Sequence, residues 1–292
     1  MITRAWAVEY QLIVANPPGS SSDIVARVVA EEYNRISGNT LILEYAAGGD
    51  HIIAANKFRS LAKPAVSLGT TTMHVFNHVY KDSLPYSDQD FDHVGWIGWS
   101  PHVWYTRSNS AYKTLADVNA ALKGKNKINI AADTLSVEAN VISVVKHHPQ
   151  GSMVEIIKYK GSPDVLMNVL GGTIDIAVAS ISELILNTAQ SGKIRILGTT
   201  NDRPMTLSGN TVPTASSILG VNQFNGGFLI SVSAGYSDDL KIQQLKVDLL
   251  KVINSQFVKE RLNKIYIEVD GRGADFTKSN LISYREKLNR MK

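Results

Sequence analysis

The sequence predicts an α/β protein of two lobes, and three observations carry that prediction. Short apolar runs alternate with helical stretches through most of the chain. Most of those runs end in a glycine- or hydroxyl-rich loop just before the helix, the signature of a parallel sheet covered on both faces. The length, 292 residues, falls where a single core stops growing, roughly 250–300 residues, so two lobes are the default.

Residues 11–15, Gln-Leu-Ile-Val-Ala, read as a buried strand stopped by Asn16-Pro17-Pro18-Gly19. Val25, Val29, Tyr33 and Ile36 then recur at spacings of four, four and three, which puts them on one helix face. Ser22 or Asp23 caps that helix, and Gly38 stands where a glycine ends it. Residues 41–45 form a second strand, ended by Ala46-Ala47-Gly48-Gly49, with a helix through Ile52, Ala55 and Phe58 after it. Residues 65–68 form a third strand, ended by Gly69-Thr70-Thr71-Thr72.

The middle of the chain repeats the theme. Residues 128–132 are a strand, Asp133-Thr134-Leu135-Ser136 a loop, and Val137, Val141, Val144 and Val145 a helical stripe. Residues 154–159 are a strand, followed by Lys160-Gly161-Ser162-Pro163, with the proline in the first helical turn and Gly171-Gly172 at the helix end. Residues 174–179 and 194–199 are further strands. Residues 238–262 read as mostly one amphipathic helix, with Leu240, Leu245, Leu249, Val252 and Ile253 on its apolar side and Asp248 elsewhere. Residues 266–269 read as a strand and residues from Phe276 onward as a last helix. The chain passes between lobes near 103–107 and 228–232, both strand-like. Two crossings suit a hinged clamp.

Composition narrows the chemistry. The absence of cysteine excludes disulfides, thiolate-ligated metals and a thiol nucleophile, and it suits an oxidising compartment. A net charge of +4, from 30 basic and 26 acidic residues, supports only a weak attraction for small anions. The patch Lys123-Gly124-Lys125-Asn126-Lys127 is short and glycine-broken, a solvated turn rather than a nucleic-acid surface. No run approaches the roughly 18 apolar residues of a membrane span. Met1-Ile2-Thr3-Arg4-Ala5-Trp6-Ala7 has no apolar core of a signal peptide before Glu9.

In open parallel sheets, ligands bind at the carboxyl ends of the strands, where amide N–H groups and helix dipoles favour anions. The loops that qualify here carry Ser20, Ser21 and Ser22; Thr70, Thr71 and Thr72; Thr134 and Ser136; and Ser162. Gly48, Gly49 and Gly161 permit close backbone approach. Each hydroxyl alone is an ordinary helix cap; several converging loops suit recognition of an anion by neutral donors. Catalytic patterns are thin. There is no Gly-x-Ser-x-Gly elbow and no Walker A loop. Seven histidines occur, at 51, 74, 78, 93, 102, 147 and 148. His74 and His78 stand four apart, but no glutamate accompanies them with zincin spacing, and no metal site is expected. Asp23 reads as a capping carboxylate or as a receptor for a ligand's ammonium or hydroxyl. Asp175, inside its strand, is a solvated edge residue or points at the ligand. Asp133 would repel a carboxylate, so it is expected to turn outward or to bond locally. Trp96, Trp99 and Trp104 could admit an aromatic acid or be core.

Residues 18–27, Pro-Gly-Ser-Ser-Ser-Asp-Ile-Val-Ala-Arg, resemble the Pro-Gly-Gly-x-x-Asp-x-x-Ala-Arg opening of the substrate-binding proteins of tripartite tricarboxylate transporters, the Bug or TctC-like family. Asp90-Phe91, Tyr159-Lys160-Gly161, residues 170–175 (Leu-Gly-Gly-Thr-Ile-Asp), residues 192–197 (Gly-Lys-Ile-Arg-Ile-Leu) with Arg203, and Val212-Pro213-Thr214 with Gly220 resemble further family motifs, in order. Ser20 stands where the family has a second glycine, and Asp133-Thr134-Leu135-Ser136 where it has Gly-x-Gly-Ser.

The resemblance implies a Venus-flytrap fold of type II, with 1–103 plus 232–292 as one lobe and 104–231 as the other. It implies a periplasmic, monomeric solute-binding protein, its signal peptide removed, that hands a small carboxylate to membrane permease subunits. No cofactor, nucleic acid or turnover is expected. Carried over by position, the ligand residues are Gly19, Ser20, Ser21, Ser22 and Asp23, Gly48 and Gly49, Thr70 and Thr71, and then Thr134, Ser136, Gly161 and Asp175. A sensing receptor of the same fold is the first alternative. An enzyme on that fold, with His51 or His74 as base, is the second.

Overall fold

The computed structural model describes residues 7–148, 153–236 and 238–291. Residues 1–6, most of the stretch read above for a leader, lie outside them, as does Lys292.

The chain divides into two compact units. The first takes the described residues through Pro18, Ser22–Trp99 and the chain from Gly227 on; the second takes Ser100–Gly226 and also Gly19–Ser21. In chain order the first contains β1 (Glu9–Val14), α1 (Ser21–Ser37), β2 (Thr40–Tyr45), α2 (Ile52–Ser60), β3 (Val66–Thr70), a π-helical segment Thr72–Phe76, α3 (Asn77–Tyr80) and β4 (Phe91–Ser100). The second unit holds β5 (His102–Arg107), α4 (Leu115–Leu122), β6 (Ile128–Ala132), α5 (Leu135–His147), β7 (Val154–Lys158) and α6 (Ser162–Gly171). It continues with β8 (Ile176–Ser180), α7 (Glu183–Gln190), β9 (Ile194–Thr199), the hairpin β10 (Met205–Leu207) and β11 (Asn210–Val212), and α8 (Ala215–Leu219). The chain then returns to the first unit through β12 (Gly226–Ser233), α9 (Leu240–Asn254), α10 (Gln256–Asn263), β13 (Glu268–Gly273) and α11 (Ala274–Met291).

The two main sheets share one plan. The first runs β13-β4-β12-β3-β1-β2 and the second β7-β6-β8-β5-β9. In each, a parallel trio has its first strand in the middle (β2-β1-β3; β7-β6-β8), and a strand that has just entered the unit pairs antiparallel with the third (β12 on β3; β5 on β8). Alternation within β1 explains why the first sheet is covered on both faces. Leu12 and Val14 enter a core with Val25, Val29, Tyr33 and the C-terminal helices, while Ile13 enters another with Ala55, Phe58, Met73 and Phe91. Ile128, Ile130, Val137, Val141 and Val144, predicted as strand and stripe, pack with Trp104 in the second unit's core. Trp96 and Trp104 are fully buried, so two of the three tryptophans considered for an aromatic ligand are core.

Several boundaries differ from expectation, each for a local reason. β3 runs through Gly69 to Thr70 instead of stopping at Leu68. Gly69 is there for space, since a Cβ would fall 2.7 Å from His74 Nε2. α1 begins at Ser21, so Ser22 and Asp23 lie in its first turn and do not cap it; Gly38, at φ 71°, does end it, its N–H donating to Asn34 O. β8 begins at Ile176, leaving Asp175 ahead of it. The long C-terminal helix is two helices: Ser255 takes ψ 149° and its hydroxyl accepts the Val258 N–H as the cap of α10. Leu240, assigned to the apolar side, is exposed, and Asp248 is buried. β13 starts two residues late because Tyr266 adopts φ 58°, which breaks an extended run. Among the described residues no helix is long and apolar enough to cross a membrane.

Candidate functional site

Because β1, β2 and β3 are parallel, the loops that leave them share one edge of the first sheet. The β1 loop begins with buried Asn16, whose Oδ1 accepts the Ser22 hydroxyl (2.9 Å). Gly19 adopts φ 83°, a left-handed turn that favours glycine. Ser20, Ser21, Ser22 and Asp23 are all buried. Asp23 Oδ1 receives both Arg27 Nε (2.7 Å) and the Tyr45 hydroxyl, and Arg27 also reaches Tyr45 (2.9 Å). Burial first, and then the Asp23 carboxylate, push the Tyr45 phenol up to about 12. Asp23 therefore ties α1 to the end of β2.

The β2 loop is a run of four left-handed residues: Gly48, Gly49, Asp50 and His51, at φ 117°, 58°, 53° and 71°. The first two fit as glycines; the latter two cost roughly 1–2 kcal/mol each in this conformation. They are held by what they touch. Asp50 pairs with Lys81 (3.0 Å) and its carbonyl accepts Asn77 Nδ2 (2.8 Å). Buried His51 places Nδ1 2.7 Å from Thr70 Oγ1, and burial lowers its pKa to about 4. Thr70 Oγ1 also accepts the Met73 N–H (3.3 Å), and Thr71 Oγ1 accepts the Gly227 N–H (3.2 Å). The first unit thus brings Ser22-Asp23, Gly48-Gly49 and Thr70-Thr71 to one edge.

In the second unit the parallel strands β6, β7 and β8 likewise place Thr134 and Ser136, Gly161 and Ser162, and Ser182 at one edge. Thr134 and Ser136 share a hydroxyl–hydroxyl contact (3.0 Å), and both are buried. Gly161 precedes α6 with φ 177°, an extended geometry that any residue could adopt. Buried Ser162 Oγ has no partner. Asp133 does not turn outward: it is buried, and burial raises it to about 7 against hydrogen bonds from the Ser180, Asp133 and Thr134 amides.

Asp175 does not join these loops. It precedes β8, at the amino end of a strand whose carboxyl end leads to the Ser182 loop. There it staples the sheet: Oδ2 accepts the Asn129 N–H (2.9 Å) and its carbonyl accepts the Thr106 hydroxyl (2.6 Å). A cavity of about 420 Å³ in the same unit, lined by Gly192, Ile194, Arg195, Ser208 and Asn210 among others, also touches the amino end of its strand, β9, away from the donor loops.

Among the buried polar groups that sequence reasoning missed is the amide of Asn140. Asn140 of α5 accepts the Phe224 N–H on Oδ1 (2.6 Å) and donates from Nδ2 to Phe224 O (3.0 Å), Ser136 O (3.3 Å) and His102 Nδ1 (3.2 Å). The amide N–H of Phe224 fixes which end of Asn140 is oxygen, so His102 Nδ1 is an acceptor and its proton sits on Nε2. Burial lowers His102 to about 3. A lone asparagine inside a valine stripe gives no periodic signal; its only trace is a polar residue on the predicted apolar face.

Two doubly covered sheets of one plan, with donor-rich loops at their carboxyl edges, define the fold of periplasmic solute-binding proteins. Solved structures agree. R. palustris Rpa4515 with adipate superposes with a TM-score of 0.86 at 17% identity, covering 98% of this chain and 97% of its own. The periplasmic binding protein BugD gives 0.85 at 16%, covering 97% and 96%. MatC from Rhodopseudomonas palustris with bound malate gives 0.81 at 16%, covering 97% and 98%. The sequence model of the tripartite tricarboxylate transporter family receptor matches residues 25–270, and the chain belongs to that family. Protein BugT of Bordetella pertussis is similar at 25% identity over 238 residues, 80% of this chain and 72% of its own length. The chain is accordingly a solute-binding receptor of the tricarboxylate-transporter type.

Proposed function

We propose that this receptor captures a small carboxylate outside the cytoplasm, in the periplasm, and delivers it unchanged to the membrane subunits of a tripartite tricarboxylate-type transporter. The observation that carries the reading is the gathering of neutral donors at the carboxyl edges of both parallel trios, where amides and helix N-termini favour negative charge. Two structural relatives carry adipate and malate, which sets the first ligands to try. The residues proposed to meet the ligand are Gly19, Ser20, Ser21, Ser22, Gly48, Gly49, Thr70, Thr71, Thr134, Ser136 and Gly161. Asp23 acts on that loop through Arg27 and Tyr45. His51, one of the two histidines considered as bases, is buried with Nδ1 2.7 Å from Thr70 Oγ1, which supports a structural role for that ring.

A thermal-shift screen over mono-, di- and aromatic carboxylates tests the class. A ligand at 100-fold its dissociation constant adds about 2.7 kcal/mol, a shift well above noise. Calorimetry with the best hit should then show at least tenfold weaker binding in Ser22→Ala, with recovery of the ligand unaltered after incubation. A flat screen across all three classes would refute the reading, and chemical conversion of the ligand would replace it with an enzyme.

A further inference from the structure

The first unit gathers histidines that the receptor function leaves unused. His74 lies in the π-helical segment, His78 on α3, His93 on β4, and Asp88 in the turn just before β4. His74 is completely buried, yet neither of its ring nitrogens has a hydrogen-bond partner. His78 Nε2 and Asp88 Oδ1 are also buried and unpartnered. Asp88 Oδ1 stands 3.6 Å from His74 Nδ1 and 3.6 Å from His78 Nε2. That is too long for a hydrogen bond. It is close to the edge of a tetrahedron, about 3.4 Å, whose four ligands lie at about 2.1 Å from a central ion. One ligand atom from each of His74, Asp88 and His93 lies within 4.8 Å of the others.

The surroundings suit such a role. His93 Nδ1 meets Ser231 Oγ at 2.8 Å, which orients the ring and leaves Nε2 for an ion, as the partners of ligating histidines do. Arg285 takes the other carboxylate oxygen, Oδ2 (2.6 Å), and also donates to His74 O (2.7 Å), so Oδ1 stays turned toward the imidazoles. Gly69 lacks the Cβ that would crowd His74. A π-helical turn at this point is itself a feature enriched at functional sites. Asp88 and His78 are partly exposed, at 37% and 21%, and offer an entry path.

We propose that His74, Asp88 and His93, with His78 at the rim, form a binding site for a divalent first-row transition ion, zinc foremost. The imidazole-rich donor set and the neighbouring guanidinium disfavour hard ions that rely on charge, so calcium and magnesium are excluded. The ion would tie the π-helical segment to β4 independently of the carboxylate site.

The test uses the whole protein, stripped with a chelator and titrated with zinc or cobalt chloride. One ion per chain is expected, with the visible absorption of tetrahedral cobalt and a raised melting temperature in zinc. Asp88→Asn and His93→Ala should each weaken binding at least tenfold, and Ser231→Ala about tenfold. Should His93→Ala fail to fold, Asp88→Asn, at a partly exposed position, decides. His147→Ala, which alters the separate pair His147–His148, should bind as the parent does. Absence of the cobalt spectrum, binding unchanged in Asp88→Asn, or binding lost in His147→Ala would each overturn the proposal. Carboxylate affinity, measured beside it, reports on the receptor function separately.

Discussion

At the scale of single residues, buried polar groups in this protein mostly hold loops in shape. Asn140 is the clearest case, since one side chain satisfies both backbone groups of Phe224 and fixes the tautomer of His102. Asn140→Ala would strand those partners, and a loss of about 2–3 kcal/mol is expected in urea denaturation. The same variant should alter the His102 ring ¹⁵N shifts, because Nδ1 loses its donor. Asp133 presents the opposite situation, a carboxylate held in a site that prefers it neutral. Its ordinary value is 3.8 and its folded value about 7, so the folded state binds the extra proton between those limits. The penalty is absent below about pH 4, grows as pH rises and is complete above pH 7. Each tenfold change in proton affinity corresponds to about 1.4 kcal/mol. Asp133→Asn should therefore stabilise the protein at pH 8, by a few kcal/mol at most, and change little at pH 4. Denaturation of the two proteins at both pH values checks this.

At the scale of elements, the sequence was most legible where periodicity and punctuation agree. β6 and β9 match residues 128–132 and 194–199 in full, because Ile128-Asn129-Ile130 and Ile194-Arg195-Ile196 alternate apolar and polar residues and each strand ends at a loop of polar residues. The end of α1 was equally plain, since Gly38 and the stripe through Tyr33 point to the same place. Legibility failed where one signal hid another. No glycine or proline separates α9 from α10, so the break shows only in the phase of the buried residues, Val258 and Leu262 falling about half a turn from Leu245, Leu249 and Ile253, and in the cap geometry of Ser255. Ser255→Ala should cost about 1 kcal/mol and extend helical hydrogen-exchange protection across the joint. Gly69 reads as a stop, yet it serves a ring from the next segment that no local pattern announces. Gly69→Ala should destabilise by about 1–3 kcal/mol through overpacking against His74 and Leu229. The candidate site followed the same division. The loops were legible because parallel strands dictate which edge they leave. Asp175 was misplaced because its strand begins one residue after it, and a one-residue error there moves a carboxylate from the sheet to its amino-terminal margin.

At the scale of the whole molecule, the buried imidazoles set acid stability. His51 and His102 have folded values of about 4 and 3 against an ordinary 6.5. The unfolded chain therefore binds their protons first as pH falls. Their contribution is intact above pH 6.5 and is lost progressively down toward pH 3–4. Denaturation midpoints should fall through that window, and His102→Gln should flatten the slope; an unchanged slope would remove His102 from the account. The route of the chain has a consequence for how it is made. All five strands of the second unit's sheet have been synthesised once β9 is made, whereas the first sheet waits for β12, which fills the place between β3 and β4. Until Gly226–Ser233 arrives, the backbone of Val66–Thr70 presents an unpaired edge in a fully buried strand, the kind of surface that invites aggregation. Synthesis thus finishes the inner sheet while the outer one is still an open template. Pulse-labelled amides of β6 and β8 should become protected before those of β3, and a chain halted before residue 226 should depend on a holding chaperone.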